Sequence, residues 1–294
     1  MITVITGPTA SGKTHWALKL ASKWETDIIN CDSRQVYRYM DIGTAKPTPG
    51  QLQLVKHHLI DVVDPDEDYN AACFMTQARD IAQKVLEQKD HVLLVGGTGF
   101  YLSAFLNGIS DLPPLTGEVK SKVQNYLRAH ALDDVYARLQ GLDPGYAERF
   151  TSRDIYRMRR FLEIYWSTGQ VPSKYFAEHA PCPISLPYRI FYLNIPRDAL
   201  YNNIDLRVET MIKSGLIQEV EALYNKGYDE NLRAMQTIGY LEILQVLKGR
   251  LDVFAAKEQI RRRTRRFAKR QIIWFRRMAD MVHIEDPARL LAVS

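Results

Sequence analysis

Three features of the 294-residue sequence predict an α/β fold, a parallel sheet with flanking helices and a helical insertion. Short apolar runs alternate with helical stretches through the first hundred residues, the rhythm of parallel strands joined by crossover helices. A glycine-rich turn, GPTASGKT at 7–14, follows the first apolar run and opens a helix, which makes the sheet P-loop NTPase-like. Between LPPL and PCPISLP the β-branched runs give way to helical spacing, and a helical insertion over 112–184 is expected there.

The elements follow in order. ITVIT (2–6) reads as the first strand, Lys13 to Trp24 as a helix, and DIIN (27–30) as the second strand. A helix over about 71–88 leads into HVLLVG (91–96), the third. In the insertion EVKSKVQNYLRAH, DDVYARLQ and DIYRMRRFLEIYWSTG are helical, with Tyr156, Leu162 and Tyr165 recurring on one face. FYLNI (191–195) and MVHIE (281–285) are two later strands, with mostly helix over 198–278 between them. The chain is thus expected to divide into a core, 1–111 with 185–294, and the insertion 112–184.

Hydrophobic residues at 46% and charged residues at 25% are average for soluble globular chains and exclude wholesale disorder. The three cysteines, Cys31, Cys73 and Cys182, are too far apart for a CxxC metal site or a disulfide framework. No run approaches 18 apolar residues, and MITVITG lacks the basic start and apolar segment of a cleavable leader. A cytoplasmic chain with no membrane role is expected, and a monomer. The net charge of +5 is unevenly spread: RRRTRRFAKRQIIWFRR (261–277) carries nine Lys/Arg and no acid, so the remainder is net acidic. A phosphate-rich partner is one reading of that segment, a solvated helix face the other.

In the GPTASGKT loop, Gly7 and Gly12 let the backbone curl so that amides face an anion, with Pro8, Thr9, Ala10 and Ser11 completing the turn. Lys13 supplies a point charge and Thr14 a hydroxyl for a magnesium ion, Mg2+. The motif specifies a diphosphate site without naming the phosphorylated molecule. Phosphoryl-transfer enzymes of this kind usually add an apolar strand ending in Asp, whereas VLLV runs into Gly96, Gly97 and Thr98. An acid follows the second strand instead. Asp32 reads either as a general base beside the phosphate pocket or as an Asx turn with Ser33, and Thr98 either as a site residue or as a helix N-cap.

GPTASGKT, DSRQVYRYMDIGTAKP (32–47), HHLIDVVDP (57–65), GGTGFY (96–101), DLRVETMIKSGLIQEV (205–220), QTIGY (236–240) and TRRFAKRQIIWFRR (264–277) occur in this order. Together they closely resemble the bacterial tRNA dimethylallyltransferases, the isopentenyl-diphosphate:tRNA transferases, over essentially the whole chain. The resemblance implies transfer of a dimethylallyl group from dimethylallyl diphosphate to the exocyclic amine of the adenosine 3′ of the anticodon. The tRNAs concerned read codons that start with U, and diphosphate is released. The loop would then cradle a leaving group. Asp32 would be the general base, Thr98 would contact Asp32 or the bridging oxygen, and Lys13, Thr14 with magnesium and Arg207 would absorb the charge on diphosphate. From the residues alone, Arg207 reads as a surface ion pair with Asp205 or Glu209.

For the RNA, the resemblance implies that Ser33 and Gln35 hydrogen-bond the flipped base, with Arg34 beside them. It sets Tyr156, Arg157, Met158, Arg159 and Arg160 of the insertion against the anticodon stem-loop. On the basic helix Arg262, Arg266, Lys269 and Arg270 are expected to meet phosphates. Ile260, Phe267, Trp274 and Met278 form an apolar stripe there, and its aromatics are expected in the core rather than as base-stacking surfaces. The chain departs from the common family pattern at Arg34, Tyr39 (where Gly is frequent), Tyr156, Phe161 and Leu241.

Overall fold

The computed structural model describes residues 1–292. Its chain forms two compact units, one comprising Met1–Leu106 and the chain from Ile184 onward, the other Asn107–Pro183.

The larger unit opens with β1 (Ile2–Thr6), α1 (Lys13–Lys23), β2 (Ile28–Asn30), α2 (Pro49–Leu54), β3 (His57–His58), α3 (Ala71–Leu86), β4 (Val92–Val95) and α4 (Gly99–Asn107). Helix starts follow local chemistry. Thr48 and Gln51 form a capping box on α2, and the Asn70 side chain accepts from the amides of Ala72 and Cys73 at the head of α3. β1, β2 and β4 are buried along their whole length, as apolar strands covered on both faces must be.

In the smaller unit α5 (Gly117–Ala129), α6 (Leu132–Leu142), α7 (Pro144–Ala147), α8 (Ile155–Thr168) and α9 (Pro172–Glu178) pack around Val123, Leu139, Phe150, Met158, Phe161 and Leu162. The larger unit resumes with β5 (Tyr188–Leu193), α10 (Arg197–Lys213), α11 (Leu216–Asn225), α12 (Tyr240–Leu247), α13 (Val253–Phe275) and β6 (Met281–Ile284), then a 3₁₀ turn over Pro287–Ala292.

The sheet has six strands, all parallel, in the order β3-β2-β4-β1-β5-β6. β4 lies between β1 and β2: Leu94 is opposite Val4 on one side and Ile29 on the other. Two expectations shift. β5 begins at Tyr188, before the apolar run, because its exposed first residues pair by backbone with Ile2 and Thr3 of β1. β3 adds a strand that the sequence did not announce, a two-residue edge beside β2 whose His58 Nε2 lies 2.7 Å from Asp27 Oδ2. Among the described residues no helix is long and apolar enough to cross a membrane.

Candidate active site

Three loops leave neighbouring strand ends on the carboxyl edge of the sheet: 7–12 after β1, 31–35 after β2 and 96–98 after β4. That edge is where parallel α/β sheets bind ligands. The loops border a cleft whose walls include Thr9, Lys13, Thr14, Asp32, Arg207 and Gln271.

The loop after β1 turns into α1 through Gly12 at φ 82°, a left-handed conformation that costs glycine nothing. The amides of Lys13 and Thr14 then open the helix without intrahelical acceptors, next to the positive end of its dipole. Lys13 Nζ folds back onto its own loop, donating to Gly7 O at 3.0 Å, Pro8 O at 2.7 Å and Ser11 Oγ at 3.5 Å. Part of the loop therefore braces itself: Pro8 has no amide, and the Thr9 amide is taken by Gln271 Oε1 at 2.8 Å. Gln271 Nε2 donates in turn to Gly97 O at 2.7 Å. This buried amide joins the loops after β1 and β4, and sequence reasoning missed it. Its signal was a lone neutral polar residue in RRFAKRQIIWF.

Desolvation, then the Arg207 guanidinium, pull the Lys13 amine down to about 7, with Asp32 pushing it back up. A bound diphosphate favours the charged amine, so binding draws in a proton wherever the free amine is neutral, above about pH 7. Calorimetry of inorganic diphosphate binding, in buffers of different ionisation enthalpy and with the ligand's own ionisation subtracted, is expected to show greater proton uptake by the protein at pH 8 than at pH 6. Equal uptake at both would separate Lys13 from the anion.

Asp32 satisfies both of its readings. Its Oδ1 accepts from the amides of Arg34 (2.8 Å) and Gln35 (3.4 Å), an Asx turn, while the carboxylate lines the cleft with Lys13 and Thr14. The ends of β2 and β4 touch backbone to backbone, since a Cβ on Gly96 would lie 2.0 Å from Cys31 O. That contact sets Asp32 beside the loop after β4. Thr98 hydrogen-bonds to Ser33, the residue after Asp32. Its Oγ1 accepts from the Ser33 amide at 3.1 Å, and its carbonyl starts α4 by accepting from Leu102 N at 3.1 Å. The Arg34 guanidinium reaches Arg233 O at 3.1 Å, and the cleft walls take Gln35 but not Ser33, Arg34 or Thr98. Gln35 spends its amide hydrogens on Thr44 O (3.0 Å) and Ala45 O (3.1 Å), so the end it offers the cleft is a carbonyl acceptor.

Arg207 on α10 has left both neighbouring acids to others. Asp205 pairs with Arg265, and Glu209 with Lys257 and Arg261. Its guanidinium enters the cleft instead, within 3.3 Å of Thr9 Oγ1 and 3.4 Å of Thr44 O. Burial lowers its pKa and the nearby Asp32 opposes that. Thr44 is placed from a distance: the Glu219 carboxylate on α11 accepts from the amides of Asp41 (3.0 Å), Ile42 (2.8 Å) and Gly43 (3.1 Å). The Tyr240 hydroxyl donates to that carboxylate, and its ring lies where a Cβ on Gly43 would stand, 2.3 Å from Cε2.

Among the described residues no three His, Cys, Asp or Glu side chains cluster to cage a metal. The Thr14 hydroxyl with water and phosphate oxygens suits Mg2+, which keeps most of its waters and binds few protein groups.

The basic helix α13 sorts its charges. Arg261, Arg263 and Arg265 pair with acids, whereas Arg262, Arg266, Lys269 and Arg270 are exposed and, among the described residues, in no ion pair. Phe267 and Trp274, the aromatics of the expected stripe, are not core, contrary to the expectation. Ile260, Ala268 and Phe275 fill the buried face, and Phe267 and Trp274, each one position earlier than Ala268 and Phe275, turn out by about 100° and stay 36% and 42% exposed. On α8 of the smaller unit Tyr156, Arg157 and Arg159 are exposed and Arg160 pairs with Glu163 at 2.9 Å. Met158 is a correction: it is fully buried in that unit's core, on the face opposite the arginines, and has no surface to offer RNA.

A family model described as IPP transferase matches residues 35–278. The tRNA dimethylallyltransferase 1 of Syntrophotalea carbinolica is 42% identical over 287 residues, 97% of this chain and 91% of that protein. The tRNA dimethylallyltransferase of Geobacter sulfurreducens is 36% identical over 293 residues, covering 100% and 94%. The crystal structure of the full-length tRNA isopentenylpyrophosphate transferase of Bacillus halodurans aligns with a TM-score of 0.69 at 32% identity, covering 100% of this chain and 91% of that one. A eukaryotic dimethylallyltransferase acting on tRNA gives 0.83 at 29% identity, covering 98% and 75%.

Proposed function

We propose that this chain, which belongs to the IPP transferase family, transfers the dimethylallyl group of dimethylallyl diphosphate to the exocyclic amine of the adenosine 3′ of the anticodon in tRNA. One observation carries the reading. A carboxylate, Asp32, shares a cleft with Lys13, Thr14 and Arg207, so an acceptor for one proton sits across from a cradle for a departing polyanion.

The chemistry follows. The adenine amine is a weak nucleophile because its lone pair is delocalised into the ring. It attacks C1 of the dimethylallyl group, the C1–O bond breaks with its electrons going to diphosphate, and Asp32 takes the amine proton. Lys13, Arg207 and the amides that open α1 stabilise the charge gathering on the leaving group. Gln35 offers its carbonyl to the second amine hydrogen. Mg2+ held by Thr14, when bound, supplies further positive charge to the diphosphate oxygens. Dimethylallyl diphosphate carrying a label is expected to mark an anticodon stem-loop that contains an A-A-A run. Label appearing on AMP and not on the stem-loop would overturn the reading.

The unpaired cations of α13 hold the RNA backbone, and the exposed Tyr156, Arg157 and Arg159 of the helical unit offer a second contact for the stem-loop. Arg266→Ala with Arg270→Ala is expected to weaken stem-loop binding and to reduce the slope of log affinity against log salt by about two, one for each phosphate no longer neutralised. Filter binding over a salt series checks it, and an unchanged slope would assign the phosphates to other residues.

A further inference from the structure

Phe100, at the start of α4, is 56% exposed, and Trp274 on α13 is 42% exposed. Their rings meet edge to face, with centroids 6.5 Å apart at 84°. The indole is pressed against the head of α4, where a Cβ on Gly99 would lie 2.2 Å from its Cδ1. Two large rings are therefore held rigid in water, a costly arrangement unless something covers them.

Their place is fixed relative to the cleft. Trp274 follows Gln271 by one helical turn, and Gln271 grips both Thr9 of the phosphate loop and Gly97. Phe267, two turns before Trp274, lines the cleft itself, with the Arg270 guanidinium 5.8 Å from its ring centroid. Exposed Arg270 and Arg277 stand one helical turn to either side of Trp274 on α13, so the occupant carries phosphates as well as flat apolar faces. Unpaired nucleotides have both.

We infer that Phe100 and Trp274 form a stacking platform for an unpaired base that flanks the extruded adenosine. The inference rests on the proposed function and deepens it: the neighbour's base lies on the edge-to-face pair while the target base enters past Phe267. Stacking one base on the platform replaces the base–base stack that extrusion breaks.

A double cycle tests this. Stem-loops are made with an abasic site on the 5′ or the 3′ side of the target adenosine, and dissociation constants are measured for the parent protein and for Trp274→Ala and Phe100→Ala. With the parent, one of the two abasic forms is expected to bind about 5- to 150-fold more weakly than the intact loop. Trp274→Ala is expected to lose a similar factor on the intact loop and nothing further on that abasic form, and Phe100→Ala to show the same coupling. The salt slope stays as in the parent, since every phosphate keeps its cation. Losses that multiply in both variants, or a parent that binds both abasic forms as tightly as the intact loop, overturn the platform. Dimethylallyl transfer to the intact loop by the parent is scored alongside: if it fails, the proposed function falls, and if it proceeds without coupling, the platform alone falls.

Discussion

Asp32→Asn is expected to slow dimethylallyl transfer in single-turnover reactions by about 10²–10⁴-fold with RNA affinity essentially unchanged. The amide is the informative replacement. Asp32 Oδ1 accepts from the Arg34 and Gln35 amides, and an asparagine carbonyl keeps both bonds, so the turn after β2 survives. What is lost is a group able to take a proton from the attacking amine. Dimethylallyl diphosphate still meets Lys13 and Arg207, so its binding is retained and the deficit sits in the chemical step. Rapid-quench kinetics with saturating RNA, beside a filter-binding titration, checks it. A full-speed Asp32→Asn enzyme, or one that fails only because RNA no longer binds, would remove Asp32 from the proton transfer.

Arg207→Ala is expected to lower kcat by about 10²–10³-fold, the usual cost of one donor aimed at developing negative charge. Its guanidinium lies within 3.3 Å of Thr9 on the phosphate loop, in a cleft where burial strengthens every charge. The charge on the leaving group grows as C1–O breaks, so the loss falls more on kcat than on KM for dimethylallyl diphosphate. Arg207→Lys restores only part of it, because one ammonium cannot hold Thr9 Oγ1 and Thr44 O while also facing the anion. Steady-state kinetics across the three proteins measures this. A drop in melting temperature with unchanged kcat would return Arg207 to a purely structural role.

What was legible in the sequence is what local chemistry dictates. β1, β2 and β4 are short, wholly buried apolar runs, and the glycine loop between β1 and α1 has fixed spacing, so the cradle and the placing of Asp32 could be read directly. β3 could not, because two histidines carry neither period nor apolar content. The rotation of α13 could not be read either. Ile260, Phe267 and Trp274 fall at seven-residue intervals, yet the buried face follows Ile260, Ala268 and Phe275, and packing against α10 and α12 decides between the two. Arg207 pointed to an ion pair with Asp205 or Glu209; long-range partners, Arg265 for one and Lys257 with Arg261 for the other, claim those acids. Tyr39 stands at φ 66°, a left-handed backbone that favours glycine, and the Lys226 ammonium lies 3.6 Å over its ring.

The carboxylate that suspends residues 41–43 ties together parts of the chain lying more than 170 positions apart. Glycine at 43 leaves room for the Tyr240 ring, the phenol steadies Glu219, and Glu219 is what the three amides require. A side chain at 43 would displace the Tyr240 ring, and loss of the Glu219 carboxylate would leave three amides without their acceptor. Either change reaches the cleft through the carbonyl of Thr44, which Gln35 and Arg207 both use.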